Sequence, residues 1–210
     1  MHVKSTVPEI EELTDEENKI RNEVIRNVEK RFTTHLRKMI TDLKSLDQES
    51  KESIEQAVRK CRQATGELVR DRYIADLQTI IAERIPKVLD YRDELQTITI
   101  PEDLEHRRHL VQYNAELIAC FMITDIEVDI GGVHVRHSIA IRCRCKTTDG
   151  LLDLDKLVAS GELDELFSRI MSCLINQQIT SQTSGAIQCI SSISDEEFKN
   201  CLVSLNADAG

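Results

Sequence analysis

One apolar stripe constrains the first half of this 210-residue chain more than any other feature. Apolar side chains recur at steps of three or four residues along it: Ile20, Val24, Val28, Phe32, Leu36, Met39, Leu43 and Leu46. This spacing places them all on one face of a long α-helix. Thr14 and Glu17 have the spacing of a capping box, which marks the start of that helix. Because such a helix cannot bury its stripe alone, it must pack against another element or another chain.

A second stripe, in residues 54–85, predicts a second long helix that folds back on the first as a hairpin. Polar residues 47–50 separate the two helices, and Pro86 ends the second one. The second stripe changes face around residues 69–74, so part of it would remain uncovered by the first helix. We expect this uncovered part to form a self-association patch made of Val69, Tyr73 and Ile80.

From residue 122 the pattern changes to an alternation of apolar and polar residues, which predicts two β-strands. Apolar residues hold even positions in 122–130 and odd positions in 133–145. Gly131 and Gly132 separate the two runs, which favours a two-residue hairpin turn there. That turn predicts three cross-strand pairs: Ile130 with Val133, Val128 with Val135, and Glu127 with Arg136.

The remaining patterns predict, in order, a short helix, a fuller helix in residues 163–174, a third strand in 187–193 and a last helix. Ser194 and Glu197 have the spacing of a capping box at the start of the last helix. This order predicts an α+β fold, a two-layer sandwich with helices on one face of an antiparallel sheet. Six of the seven glycines lie after residue 100. We therefore expect a coiled-coil-like helical hairpin in residues 1–100 and an α+β interaction domain in residues 101–210.

Composition excludes several classes of function. The formal net charge of −10 argues against sequence-independent nucleic-acid binding, which depends on neutralising phosphates. Three Tyr, four Phe and no Trp also argue against a base-stacking surface. No apolar run approaches the roughly 20 residues that span a membrane. Seven scattered cysteines, an odd number, are typical of free thiols in a reducing compartment, so we expect a cytoplasmic protein.

No motif predicts an active site or a cofactor site. A phosphate-binding glycine loop and a nucleophile elbow are both absent from the sequence, and His106 and His109 lack the spacing of a zinc-binding helix. We therefore expect no catalytic, cofactor-binding or metal-binding residue. Cys143 and Cys145 share a predicted strand face with His137, which leaves a metal or redox site as a minor alternative to core packing.

A basic stripe follows the second predicted strand. It comprises Arg136, Arg142, Arg144 and Lys146. The neighbouring strand carries three acidic residues, so a solvated ion-pair face is one interpretation. A surface for an acidic partner is the other.

Residues 117–205 resemble the N-terminal domain of the TRADD family of death-domain adaptors. The resemblance is carried by residues 139–142 (IAIR), 157–163 (LVASGEL), 166–167 (LF) and 194–198 (SDEEF), and by Cys201 in the last helix. It implies an α/β sandwich that binds partners, TRAF-type adaptors among them, and performs no chemistry. Residues 1–100 have no counterpart in that family.

Together these features predict a non-enzymatic protein–protein interaction module of a cytoplasmic death- or immune-type signalling adaptor. It would act by docking signalling partners and by forming homo-oligomers through its helices. The alternative is a structural coiled-coil scaffold whose C-terminal domain caps the helices.

Overall fold

A computed structural model describes residues 1–6, 14–84, 104–123, 126–134, 138–174 and 188–208. Within these ranges the elements are, in chain order, β1 (His2–Thr6), α1 (Asp15–Ser45), α2 (Gln48–Gln63), α3 (Glu67–Arg84), α4 (Leu104–Ile123), β2 (Ile126–His134), β3 (Ser138–Cys145), α5 (Thr148–Ala159), α6 (Glu162–Leu174), β4 (Gln188–Ser192) and α7 (Asp195–Asp208). The helices and the antiparallel sheet confirm the predicted α+β class.

The four strands form one antiparallel sheet in the order β2-β3-β1-β4. Strand β1, which the sequence patterns did not predict, lies between β3 and β4. Its Val3 pairs with Ile139 on one side and with Ser191 on the other. The backbone N–H of Ile141 also donates to the carbonyl of Met1 at 3.0 Å. The first six residues therefore complete the sheet of the second half.

The two faces of the sheet differ in burial. Val3, Ile139 and Ile141 are at most 1% exposed, whereas their neighbours Lys4 and Arg142 are exposed. This alternation follows from the period of two in a β-strand. The helices cover the apolar face, which gives the predicted two-layer sandwich.

Helix α1 buries the middle of its predicted stripe, but against a different partner from the one expected, and Ile20 at its start is 49% exposed. Phe32 and Leu36 are at most 2% exposed, and the Phe32 ring meets the Phe167 ring of α6 edge-to-face at 5.5 Å. Helix α1 packs on the sheet and on α6, so the predicted hairpin partner is wrong. The apolar face of the sheet offers a wider surface than one helix, and it needs a cover.

The predicted second helix is in fact two helices. Helix α2 ends at Gln63, α3 starts at Glu67, and Gly66 between them has φ +105°, a conformation that favours glycine. Helix α2 packs on α3, and α3 packs on α4. This break explains why the apolar stripe changed face near residue 69. The predicted separation of α1 from α2 is confirmed, because Asp47 Oδ1 caps α2 by accepting from the Ser50 N–H at 2.8 Å.

The predicted hairpin turn at Gly131 and Gly132 is wrong. Strand β2 continues through both glycines, which form a bulge between Ile130 and Val133. The observed register pairs Ile130 with Ile141 and Glu127 with Arg144. Residues 135–137, which include the predicted partners Val135 and Arg136, lie outside the described residues.

The later elements follow the sequence patterns closely. Helices α5 and α6, strand β4 and helix α7 lie where they were expected. The capping box of α7 is confirmed, since the Glu197 N–H donates to Ser194 Oγ at 3.2 Å and the Ser194 N–H donates to Glu197 Oε2 at 3.5 Å.

The expected domain boundary between residues 86 and 101 lies outside the described residues. On either side of it, however, the described residues contribute to one hydrophobic core. This core joins Phe32 and Leu77 from the first hundred residues to Leu117, Ile141 and Phe167 from the second. Residues 1–100 and 101–210 therefore share a core.

Candidate partner-binding groove

A groove of about 850 Å³ opens where the C-terminal part of α1, the length of α2, the end of α4 and the end of β3 meet. Ligand pockets commonly have volumes of about 300–1,000 Å³. We call this feature the basic groove, because cations dominate its charged lining. They are Lys44, Lys51, Arg59, Arg62, Arg142, Arg144 and Lys146.

Glu55 is the acidic side chain among the described residues that line the basic groove. It lies 3.9 Å from Arg59, and both side chains are exposed. Ion pairs of this kind are worth little, about 0–1 kcal/mol. Among the described lining residues, cations therefore outnumber acidic residues by seven to one, although the whole chain carries a net charge of −10.

The interior of the basic groove is apolar. Its floor is fully buried and belongs to the core: Met39, Ile54, Val58, Ile118 and Phe121. Its wall is only partly buried: Ile40, Leu43, Leu46, Met122 and Cys143. Contact with a partner would remove this wall from water, which is favourable for apolar surface.

Helix geometry explains how α2 contributes both to the buried floor of the basic groove and to its rim, the charged residues around the opening. Lys51, Ile54, Val58 and Arg62 follow steps of three and four residues, so they lie along one face of the helix. The middle pair is buried, and the outer pair provides cations at the two ends. The Arg62 guanidinium donates to the carbonyl of Met122 at 3.0 Å, which ties the end of α2 to the end of α4.

The structure brings three of the four predicted acidic-partner residues into the basic groove. Arg142, Arg144 and Lys146 line it, and Arg136 lies outside the described residues. The strand register places Asp129 opposite Arg142 and Glu127 opposite Arg144.

The cations of α1 and α2 were missed by the sequence analysis. Lys44 and Lys51 are ordinary surface lysines by sequence, and almost 100 residues separate them from Arg142. Only tertiary packing places them around the same apolar wall. The sequence offered one signal of these cations: Lys51 and Arg62 lie at the two ends of the apolar stripe of α2.

The predicted self-association patch is only partly exposed. Val69 is 46% exposed, but Tyr73 and Ile80 pack against the core, so the expectation that all three are uncovered is wrong for two of them. Both side chains are partly buried. Leu68, which the sequence analysis did not single out, is 87% exposed beside Val69. Self-association through the start of α3 stays a prediction.

All seven cysteines are free. Burial raises the pKa of Cys143 to about 11 and that of Cys145 to about 12. Across the described part of the chain, three or more His, Cys, Asp or Glu side chains nowhere come together as a metal site would require. His137, the third member of the minor metal or redox alternative, lies outside the described residues.

None of the described helices combines the length and the apolar character needed to cross a membrane. Comparison with known proteins finds no matching family model, no matching curated protein and no matching solved structure.

Proposed function

We propose that this protein is a non-enzymatic protein–protein interaction module that holds a signalling partner in the basic groove. One observation carries the proposal: seven Lys and Arg residues line a groove with a partly exposed apolar wall, in a chain whose net charge is −10. An apolar centre with a polar rim is the usual anatomy of a protein-binding surface. Electrostatic complementarity then selects the partner and speeds its association.

The sequence resemblance to the TRADD N-terminal domain supports a finer proposal. On this basis the partner belongs to cytoplasmic death- or immune-type signalling, with TRAF-type adaptors as the family precedent. Seven free thiols are typical of proteins from a reducing compartment such as the cytoplasm.

The coiled-coil scaffold alternative has less support. It requires the stripe of α1 to be available to another helix. Val28, Phe32, Leu36 and Met39 are instead at most 2% exposed within the chain's own core. A scaffold would therefore have to use another surface.

Affinity capture with the full-length chain tests the proposed function. Residues 101–210 alone are unsuitable as bait, because they lack β1 and α1, which complete the sheet and its cover. The double variant Lys44→Glu/Lys51→Glu reverses two groove cations. Lys30→Glu/Lys60→Glu makes the same charge change on exposed positions of α1 and α2 outside the groove.

We expect the unmodified chain and the Lys30→Glu/Lys60→Glu control to capture the same cytoplasmic partner, and the groove variant to lose it. Capture that survives in the groove variant would show that the partner docks elsewhere. Failure of the unmodified chain to capture any protein would count against an interaction module.

A further inference from the structure

We infer that the occupant of the basic groove is an acidic amphipathic α-helix of about three turns, supplied by the partner protein. This inference rests on the proposed function and specifies the chemistry of the partner segment. It follows from the length of the groove, the position of its apolar wall and the sign of its rim.

The length of the groove matches a short helix. On α2 the groove extends from Lys51 to Arg62, eleven residues apart, which is about 16 Å at 1.5 Å per residue. A helix lying alongside would contribute about three turns over that distance.

The walls favour a helix over an extended strand. A peptide that binds as a strand needs an open sheet edge to complete its backbone hydrogen bonds. The strand that lines the groove is β3, which lies inside the sheet between β2 and β1. The other walls are the side chains of α1, α2 and α4, which suit the apolar face of a helix in a groove.

The apolar wall sets the spacing of the partner's apolar residues. Ile40 and Leu43 from α1 and Met122 from α4 are partly exposed along the interior. A helix with apolar residues at steps of three and four presents one continuous stripe to such a wall. Its remaining positions then face the rim.

The rim sets the sign of those remaining positions. Lys44 and Lys51 lie on the two helices that flank the groove, and Arg62 and Lys146 extend the positive charge along it. Glutamate or aspartate beside the apolar stripe complements these cations, whereas lysine there would be repelled.

Other anionic occupants fit less well. A lipid bilayer or a nucleic acid is an extended polyanion, and the chain outside the groove is more acidic than its total charge of −10. A concave site between helices also limits contact to a narrow segment. A second copy of this acidic chain is the remaining competitor, and the test below separates it.

Fluorescence anisotropy with designed peptides tests the inference on the full-length chain. The acidic probe is a helical peptide of about 15 residues with leucine at steps of three and four and glutamate between. The basic twin carries lysine in place of glutamate. The scrambled probe keeps the composition of the acidic probe but disperses its leucines.

We expect the acidic probe to bind, and the basic twin and the scrambled probe to bind roughly tenfold more weakly or worse. Lys44→Glu/Lys51→Glu should lose the acidic probe and gain affinity for the basic twin, whereas Lys30→Glu/Lys60→Glu should bind as the unmodified chain does. A circular dichroism spectrum that matches the unmodified chain shows that the groove variant is folded. Binding of the acidic probe should weaken as salt increases, because exposed charges are screened.

Three results would overturn the inference. Equal binding of the acidic probe and its basic twin would remove the role of charge. Vesicles of phosphatidylserine that bind the unmodified chain but not Lys44→Glu/Lys51→Glu, in place of the acidic probe, would assign the groove to a membrane. Light scattering without any peptide could show a dimer mass for the unmodified chain but not for Lys44→Glu/Lys51→Glu. If the acidic probe does not reverse that dimer, the basic groove binds a second copy of the chain.

The two proposals fail separately. If the captured partner depends on Lys44 and Lys51 while the acidic probe does not bind, the helix inference is wrong and the interaction module stands. If both variants capture the partner as the unmodified chain does, while the acidic probe binds the groove, the groove binds acidic helices but is not the surface that docks this partner.

Discussion

The carboxylate of Asp164 accepts a hydrogen bond from the backbone N–H of Ser191 at 2.6 Å, and this contact closes one edge of the sheet. One helical turn further along α6, Ser168 Oγ accepts from the N–H of Cys189 at 2.8 Å. Four helical residues rise about 6 Å and two strand residues about 6.8 Å, so the spacing of the two acceptors on α6 matches the spacing of the two N–H donors on β4. Because β4 is an edge strand, these contacts satisfy N–H groups that would otherwise be open to another chain.

Asp164→Ala should therefore lower the free energy of unfolding by about 1–3 kcal/mol, the cost of leaving a part-buried N–H without its acceptor. Urea titration measures the change. Asp155→Ala, at an exposed position of α5, is the matched control and should change stability by about 0.5 kcal/mol or less. Equal effects of the two substitutions would show that the capping of β4 does not contribute to stability.

Strand β1 provides a second test of the fold. Val3 is 0% exposed, and its neighbour Lys4 is on the exposed face. Val3→Asp places an unpaired carboxylate in the core, so we expect loss of the cooperative unfolding transition. Lys4→Asp should cost about 1 kcal/mol or less, the span of β-propensity. Circular dichroism during thermal unfolding distinguishes the two, and a stable Val3→Asp variant would contradict the central position of β1.

The alternation of residues 122–145 predicted two strands but neither the start of the first nor their register. Met122 lies in α4, and β2 begins at Ile126. The predicted register pairs Ile130 with Val133, and the observed one pairs Ile130 with Ile141. Both registers place apolar residues opposite apolar residues, because sliding a strand by an even number of positions keeps its faces. The observed register also places Glu127 opposite Arg144 and Asp129 opposite Arg142.

The sequence patterns did not predict short elements, or sites formed by residues far apart in the chain. Strand β1 has five residues with one buried apolar side chain, Val3, so it shows no measurable alternation. The break after α2 depends on the positive φ of Gly66, and a single glycine inside a helical pattern does not by itself predict a break. The basic groove depends on the packing of α2 beside β3. By contrast, the stripe of α1 predicted its buried face well, because helical period alone determines it.

The buried thiols predict a loss of stability at high pH. Burial raises the pKa of Cys173 to about 11 and that of Cys189 to about 12 in the folded chain, above the ordinary thiol pKa of 9.0. The stabilising contribution is therefore complete below pH 9 and is lost as pH rises towards 11–12, because the unfolded chain then releases protons that the folded chain retains.

Urea titrations at pH 8 and pH 10 measure this dependence. Cys173→Ala removes one of the raised groups, so it should reduce the fall in unfolding free energy between the two pH values. Its overall loss of stability from the smaller side chain is the same at both pH values and cancels in the comparison. An unchanged pH dependence would contradict protection of that thiol.

The start of α3 is the expected self-association surface, now centred on Leu68 and Val69. Leu68→Glu/Val69→Glu should shift the mass measured by light scattering at high protein concentration towards that of a monomer, because it replaces exposed apolar surface with charge. Val203→Glu, at a residue of α7 that is 69% exposed, is the control and should leave the mass unchanged. If the unmodified chain has the mass of a monomer at high concentration, the prediction of self-association is wrong.

Methyl NMR during titration with the acidic amphipathic probe tests the basic groove most directly. The account predicts chemical-shift changes at the wall and floor methyl groups of Ile40, Leu43 and Ile118, with little change at Ile190 on the open face of the sheet. Changes that concentrate at Ile190 or at Leu68, with the groove methyl groups unaffected, would contradict the assignment of the basic groove as the docking surface.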